Sequence, residues 1–285
     1  MEDFNMIKTN YHTHSTFCDG KNTAEEIILC AIEKNFDILG FSSHSMFPFS
    51  SDWHLPSNSH KEYADSIRSL AKKYSDKIEI YTGFEADYIS GVCCPSFENY
   101  SDFSPDYLIG SIHFVPGKKG FIEADGSFDD VRKGIDSFFD GDIKAAVCEY
   151  FALEREMIEK GSFTFIGHPD LIKKQNAGST KLFDETEEWY KSEVKTTARA
   201  LSKAGICVEV NTGGILRSGQ KEPYPSPYFL ETLNSLNVPV TLNSDAHTLK
   251  GLDVWFEEGY EYIKKVGYKE IMYFQAGSLK SQVIK

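Results

Sequence analysis

The chain has 285 residues, 41% hydrophobic and 26% charged, with a formal net charge of −13. That length and apolar share suit one domain spanning residues 1–285 with a sizeable core, and α/β barrels of this size are commonly a single unit. The acidic balance argues against nonspecific nucleic-acid binding, which needs a basic stripe, although bound divalent ions would invert the local field for an anionic substrate.

No run approaches the roughly 18 apolar residues of a membrane span. The first ten residues, MEDFNMIKTN, carry early acids and no apolar stretch, unlike a signal peptide. The six cysteines, Cys18, Cys30, Cys93, Cys94, Cys148 and Cys207, contain no C-x-x-C pair. Adjacent cysteines make a poor disulfide, so all six are expected as reduced thiols in a cytoplasmic protein with no membrane partner. Oligomeric state is not readable from the chain.

Short apolar strands alternate with amphipathic stretches. Met6–Tyr11 reads as a strand running into His12-Thr13-His14, with Asp19-Gly20 five residues on. Residues two apart on a strand share a face, so both imidazoles project together. Thr23–Lys34 opens with Thr23-x-x-Glu26, a capping box ahead of the stripe Ile27, Ile28, Ala31, Ile32. Phe36–Ser43 is a strand ending at His44, His60–Tyr74 a helix, and Ile78–Phe84 a strand ending at Glu85. Tyr107–Ile112 ends at His113. Helical patterns over Phe128–Phe139 and Ala145–Glu159 precede the strand Phe163–Gly167, which runs into His168-Pro169-Asp170. Thr186–Ala204 is helical and closes at Gly205. Ile206–Val210 leads to Asn211, Ser226–Leu236 is a helix, and Val238–Leu242 is the last clear strand, running into Asp245-Ala246-His247. Trp255–Val266 ends the chain as a helix. Seven alternations predict a parallel sheet closed, or nearly closed, into a barrel. Two long loops, Phe47–Ser59 and Gly91–Pro105, read as pocket walls.

Six of the eight histidines fall at strand C-terminal ends: His12, His14, His44, His113, His168 and His247. Asp19, Glu85 and Asp245 share that edge, which in parallel barrels carries the active site. A lone histidine at a strand end is usually structural. Nine imidazole and carboxylate groups converging on one mouth point instead to two or three divalent ions among Zn, Mn and Fe.

This ordered set, His12-x-His14, Asp19-Gly20, His44, Glu85, His113, Gly167-His168 and Asp245-Ala246-His247, resembles the polymerase-and-histidinol-phosphatase (PHP) superfamily. Within it, Gly167-His168-Pro169-Asp170, the run from Val208 to Gly214, and Arg217 followed by Pro223-Tyr224-Pro225 resemble the monofunctional histidinol-phosphate phosphatases. The resemblance implies a distorted seven-stranded, TIM-like (β/α) barrel and a trinuclear site. One ion would be held by His12, His14, Glu85 and Asp245, a second by Asp19, His44 and His247, and a third by Glu85, His113 and His168, with Glu85 bridging. It implies hydrolysis of L-histidinol phosphate, a small phosphomonoester, in histidine biosynthesis.

Arg217 is the expected phosphate clamp, with Asp245 or His247 protonating the leaving oxygen. Lys173, with Lys174 beside it as a further candidate, His54 and Tyr224 are expected substrate contacts, and Trp53 a pocket wall. His60 is expected at the surface. Glu209 and Asn211 share a strand face, as structural partners or as substrate contacts. Other readings are a phosphodiesterase of the same superfamily, an amidohydrolase-type hydrolase, or a noncatalytic metal-binding module. The bridging lysine and eighth strand of the amidohydrolase type are not evident.

Overall fold

The computed structural model describes residues 6–285. The chain begins β1 (Thr9–Asn10), α1 (Ala24–Glu33), β2 (Ile38–Ser45), α2 (His60–Lys73), β3 (Glu79–Asp87) and β4 (Tyr107–Ser111). A small hairpin, β5 (Phe114–Pro116) and β6 (Phe121–Glu123), precedes α3 (Phe128–Phe138) and α4 (Ile143–Lys160). The alternation resumes with β7 (Phe165–Ile166), α5 (Glu188–Ala204), β8 (Cys207–Asn211), α6 (Gly213–Ser218), α7 (Pro227–Ser235), β9 (Val240–Asn243) and α8 (Phe256–Val266). A second hairpin, β10 (Glu270–Gln275) and β11 (Ser278–Val283), follows.

Local chemistry sets the boundaries. The Thr23 hydroxyl accepts from the Glu26 backbone N–H, and the Glu26 carboxylate accepts from Thr23 N, completing the capping box of α1. Ser127 and Asp142 cap α3 and α4 through their side-chain oxygens. Gly205, at φ 68°, closes α5 in the left-handed conformation.

Strands β1, β2, β3, β4, β7, β8 and β9 form one parallel sheet in chain order. The sheet closes where Thr13 bridges Ala246: His14 N donates to Ala246 O, and Ala246 N donates to His12 O. The result is a nearly closed seven-stranded barrel. Alternation along each strand sorts side chains into two environments. Leu39 and Phe41 of β2, Ile80, Phe84 and Ala86 of β3, and Val208 and Val210 of β8 join the main core beneath the helices. Tyr81, Glu85 and Glu209 lie on the opposite faces of their strands.

The lower barrel interior is aromatic, with Tyr11, Tyr81, Tyr107, Phe165 and Phe274 in one buried cluster. Tyr107 fits only because Gly40 and Gly83 lack side chains; a Cβ at either would overlap its phenol. Its hydroxyl reaches the Tyr11 and Phe41 carbonyls at 2.5 and 2.9 Å. The β10–β11 hairpin plugs this end. The Tyr11 hydroxyl donates to Phe274 O at 2.7 Å and accepts from Phe274 N at 2.8 Å.

Three expectations are corrected. Regular structure does not end in α8, because β10 and β11 follow it. The signal was present: two six-residue runs flank Ala276-Gly277, at φ 50° and 77°, a two-residue hairpin turn. Residues 91–105 do not wall the site; they pack near the end of α4, where Ser162 N donates to Pro95 O and Phe97 N to Ser162 Oγ. His60 is buried, not exposed. The first turn of α2 faces the sheet, where Ser45 Oγ lies 2.7 Å from His60 Nε2 and Phe84 and Phe103 stack on the ring.

Candidate metal centre

The upper edge of the barrel gathers all nine expected donors. Glu85, near the C-terminal end of β3, is 1% exposed and central. Its Oε2 lies 3.1 Å from His12 Nε2, 3.5 Å from His14 Nε2 and 2.7 Å from His44 Nδ1. Its Oε1 lies 3.4 Å from His113 Nε2 and 2.8 Å from His168 Nε2. Asp245 Oδ1 lies 3.5 and 3.2 Å from the Nε2 atoms of His12 and His14. Asp19 stands 3.7 Å from His44 Nε2 and 3.1 Å from His247 Nε2.

Two nitrogen or oxygen ligands about 2.1 Å from one tetrahedral ion are themselves ~3.4 Å apart. Most of these separations are close to that value. Nε2 of both His12 and His14, Asp19 Oδ1, His44 Nδ1 and Glu85 Oε2 are buried with no hydrogen-bond partner among the described residues. Buried polar atoms are rarely left so. The donors also fall into overlapping groups of three or four whose ligand atoms lie within 4.8 Å of one another, among them His14, Asp19, His44 and His247. Mixed imidazole and carboxylate donors in this density fit divalent transition ions.

Two further acids hold the imidazoles in place. Asp87, two residues beyond Glu85 on β3, puts Oδ1 2.5 Å from His113 Nδ1 and Oδ2 2.5 Å from His54 Nε2. Glu209 puts Oε2 2.7 Å from His12 Nδ1 and accepts from the side chains of Asn243 and Asn211 at 2.9 and 2.6 Å. Its Oε1 also accepts from His168 N at 3.2 Å. The contacts to His113 and His12 leave the opposite ring nitrogen of each facing Glu85, the usual outer partnership of a metal-bound histidine. Asp87 was missed in the sequence, although its i+2 spacing from Glu85 puts both on one strand face.

The electrostatics are those of a charged cluster out of water. Burial alone would raise the Glu85 carboxyl, yet His12, His44 and His113 hold it well below its usual range. Asp245 is likewise held low against burial, chiefly by Arg217 and His12. Burial disfavours the charged form of His12, but Glu209, Glu85 and Asp245 raise it well above its usual value. His113 is raised to about 10, because Asp87 and Glu85 outweigh its burial. His14 goes the other way: burial and the neighbouring His44 and His247 keep it neutral.

A cavity of about 540 Å³ opens over this edge, and His44, His113, His168, Asp245 and His247 form part of its lining. Arg217, from α6, lines it too, with guanidinium nitrogens 3.1 and 2.5 Å from the two Asp245 oxygens. Tyr224 lines it with a buried hydroxyl that lacks a partner among the described residues. Trp53 forms a wall, edge-on to His44 and His113. Two expected substrate contacts lie elsewhere. Lys173 is 2% exposed and turned into the protein, where Nζ meets Glu222 and the Pro223 carbonyl. Its neighbour Lys174 lines the cavity instead, because the 3₁₀ turn Leu171–Asn176 sends consecutive side chains in different directions. His54 is buried behind Trp53, both nitrogens engaged, by Ser51 and Asp87.

A family model described as "PHP domain" matches residues 10–213. A histidinol-phosphatase of Bacillus subtilis is 24% identical over 259 residues, covering 85% of this chain and 94% of its own. The hisK protein of Listeria monocytogenes has the same fold, with a TM-score of 0.79 at 24% identity over 88% of this chain and 99% of its own. The histidinol phosphate phosphatase of Lactococcus lactis, solved with zinc, L-histidinol and phosphate, superposes at a TM-score of 0.67 and 20% identity, over 97% of this chain and 100% of its own.

Proposed function

Because the chain belongs to the PHP domain family, we propose that it hydrolyses L-histidinol phosphate to L-histidinol and inorganic phosphate. The observation that carries the reading is the convergence of nine donors around Glu85 beneath an open cavity with Arg217 at its edge. The curated histidinol-phosphatase relatives supply the substrate.

His12, His14, Glu85 and Asp245 would hold one ion, Asp19, His44 and His247 a second, and Glu85, His113 and His168 a third. Such ions supply charge neutralisation for a phosphate dianion and lower the pKa of a water toward ~7, which makes it a nucleophile at neutral pH. The protein's own groups do the rest. Asp87 and Glu209 hold His113 and His12 in one ring orientation, so the donors need no rearrangement. Arg217 is held rigid by Asp245 and faces the cavity, where its remaining donors can meet nonbridging phosphate oxygens. The leaving oxygen needs a proton, and the attacking water has one to give up; Asp245 and His247, which both line the cavity, are placed to relay it. No protein nucleophile is required.

Steady-state kinetics on histidinol phosphate, other phosphomonoesters, phosphodiesters and amides, with added Mn²⁺ or Zn²⁺, test the reading. A kcat/KM advantage of at least about tenfold for histidinol phosphate, roughly 1.4 kcal/mol, supports it. A preference for a diester or an amide overturns it. Elemental analysis of protein purified without chelator counts the ions; less than one equivalent after supplementation removes the centre.

A further inference from the structure

Trp53 walls the cavity over the metal centre, and the next residue, His54, is buried behind it. The two rings stack at 27° with centroids 3.7 Å apart, and Phe114 stacks on His54 at 24° and 6.1 Å. The main chain is pinned on both sides: His54 N donates to Ser51 O at 3.3 Å, and Leu55 N donates to His44 O at 2.9 Å. His54 lines no part of the substrate cavity. A buried imidazole with both nitrogens hydrogen-bonded is usually a satisfied core group. The partners of this one connect it to the donors.

His54 Nε2 lies 2.5 Å from Asp87 Oδ2, and Nδ1 lies 2.6 Å from Ser51 Oγ. Asp87 Oδ1 lies 2.5 Å from His113 Nδ1, and His113 Nε2 faces Glu85 at 3.4 Å. These groups form one chain, whose direction follows from the metal end. A His113 that ligates through Nε2 keeps its proton on Nδ1, so Asp87 accepts there. An ionised carboxylate only accepts, so His54 holds a proton on Nε2 and donates it to the other oxygen. Nδ1 of a neutral His54 is then an acceptor, and the Ser51 hydroxyl donates to it. Ser51 is half-buried in the wall of a separate, largely apolar cavity, so the chain ends away from the substrate. Asp87 is 2% exposed, and His54 is the one side-chain donor to its Oδ2 among the described residues. With a donor on each oxygen the carboxylate plane is fixed. With one donor it can turn, and its aim at His113 is lost.

We propose that His54 is a positioning residue for the metal centre: through Asp87 it fixes the ring of His113, and Ser51 fixes the tautomer of His54. The inference rests on the metal-centre part of the reading above and is independent of which phosphoester is the substrate.

The test is Zn²⁺ affinity of the full chain, measured by competition with a chromogenic chelator, in the wild type, His54→Phe, His54→Gln, Ser51→Ala and Asp87→Asn. His54→Phe should bind one ion at least about tenfold more weakly and leave the others within about threefold, because His113 is assigned to one ion. The amide nitrogen of His54→Gln can stand where Nε2 stands, so this variant should return to within about threefold of the wild type. Ser51→Ala should cost about twofold to fivefold, in the same ion. In the Asp87→Asn background, His54→Phe should cost less than about twofold more, because it acts through Asp87. In the Zn²⁺-loaded protein, the His113 Nδ1–H resonance should shift in His54→Phe and return in His54→Gln. Should His54→Phe not fold, His54→Asn takes its place, since the shorter amide stops short of Asp87.

Unchanged affinity in His54→Phe overturns the inference. Equal weakening of every ion, or a full additional loss in the Asp87→Asn background, overturns it by giving His54 a general packing role. A His54→Gln variant as weak as His54→Phe does the same. A wild-type protein that binds no Zn²⁺ overturns the metal centre and this inference with it, whereas a different preferred substrate leaves this inference standing.

Discussion

The two ends of the barrel interior are built from the same strands on opposite rules. At the lower end, polar atoms are satisfied by the protein itself: the hydroxyls of Tyr11 and Tyr107 bond to backbone carbonyls, and the β10–β11 hairpin closes the opening. At the upper end, several buried imidazole nitrogens and carboxylate oxygens, among them His12 Nε2, His14 Nε2 and Glu85 Oε2, have no such partner among the described residues. Strand β3 shows both rules within a few residues, with Tyr81 in the lower cluster and Glu85 in the upper one. An unsatisfied buried polar atom costs about 1–3 kcal/mol. The lower end therefore stabilises the fold unaided, while the upper end relies on what it binds.

The strongest way to break this division is Glu85→Gln. One carboxylate touches five histidines, and kcat/KM should fall by at least about 10³-fold, some 4 kcal/mol of transition-state stabilisation. The loss should come with a drop in bound metal by elemental analysis. Full activity with fewer ions would show that Glu85 is not shared.

Chelation should separate the ends without a mutation. At an ion concentration 100 times Kd, binding contributes about 2.7 kcal/mol to stability, so removing the ions should lower Tm, and adding them back should restore it. Reloading at pH 7 should release roughly two protons per chain, because His12 and His113 are held protonated in the ion-free protein and must be neutral to ligate. The sign is definite: both histidines are raised above their usual value, so the stability that their charge contributes is complete below pH ~6.5 and disappears as pH rises, for His113 through about 10. Calorimetry in buffers of different ionisation enthalpy counts the protons. Uptake in place of release would contradict the assignment.

Asp87→Asn probes the outer layer. It weakens the contact that orients His113 and should cost about 10–100-fold in metal affinity or activity, with raised metal reversing part of the loss. A loss that no metal concentration rescues would place Asp87 in some other role.

The smallest effect belongs to the lower end. Tyr107→Phe removes a hydroxyl shared by two carbonyls and should lower stability by about 1–2 kcal/mol in denaturant titrations, leaving kcat/KM and metal content unchanged. A change in metal content would mean that the two ends are coupled.

Much of the site is legible in the sequence because its signals are local. A strand has a two-residue period, so His12 and His14 announce their common face from spacing alone. Thr23 and Glu26 announce a helix start in the same way. What the tertiary structure decided is everything that depends on closure and packing. Barrel closure between Thr13 and Ala246 brings His12 and Asp245, from opposite ends of the barrel sequence, to 3.5 Å. Packing turned Lys173 inward and left Lys174, the other lysine candidate, at the cavity, buried His60 against Phe84, and set Glu209 on His12. The physical reason is that spacing determines which side of a strand a residue occupies, whereas its partner is chosen by what the neighbouring elements place opposite it.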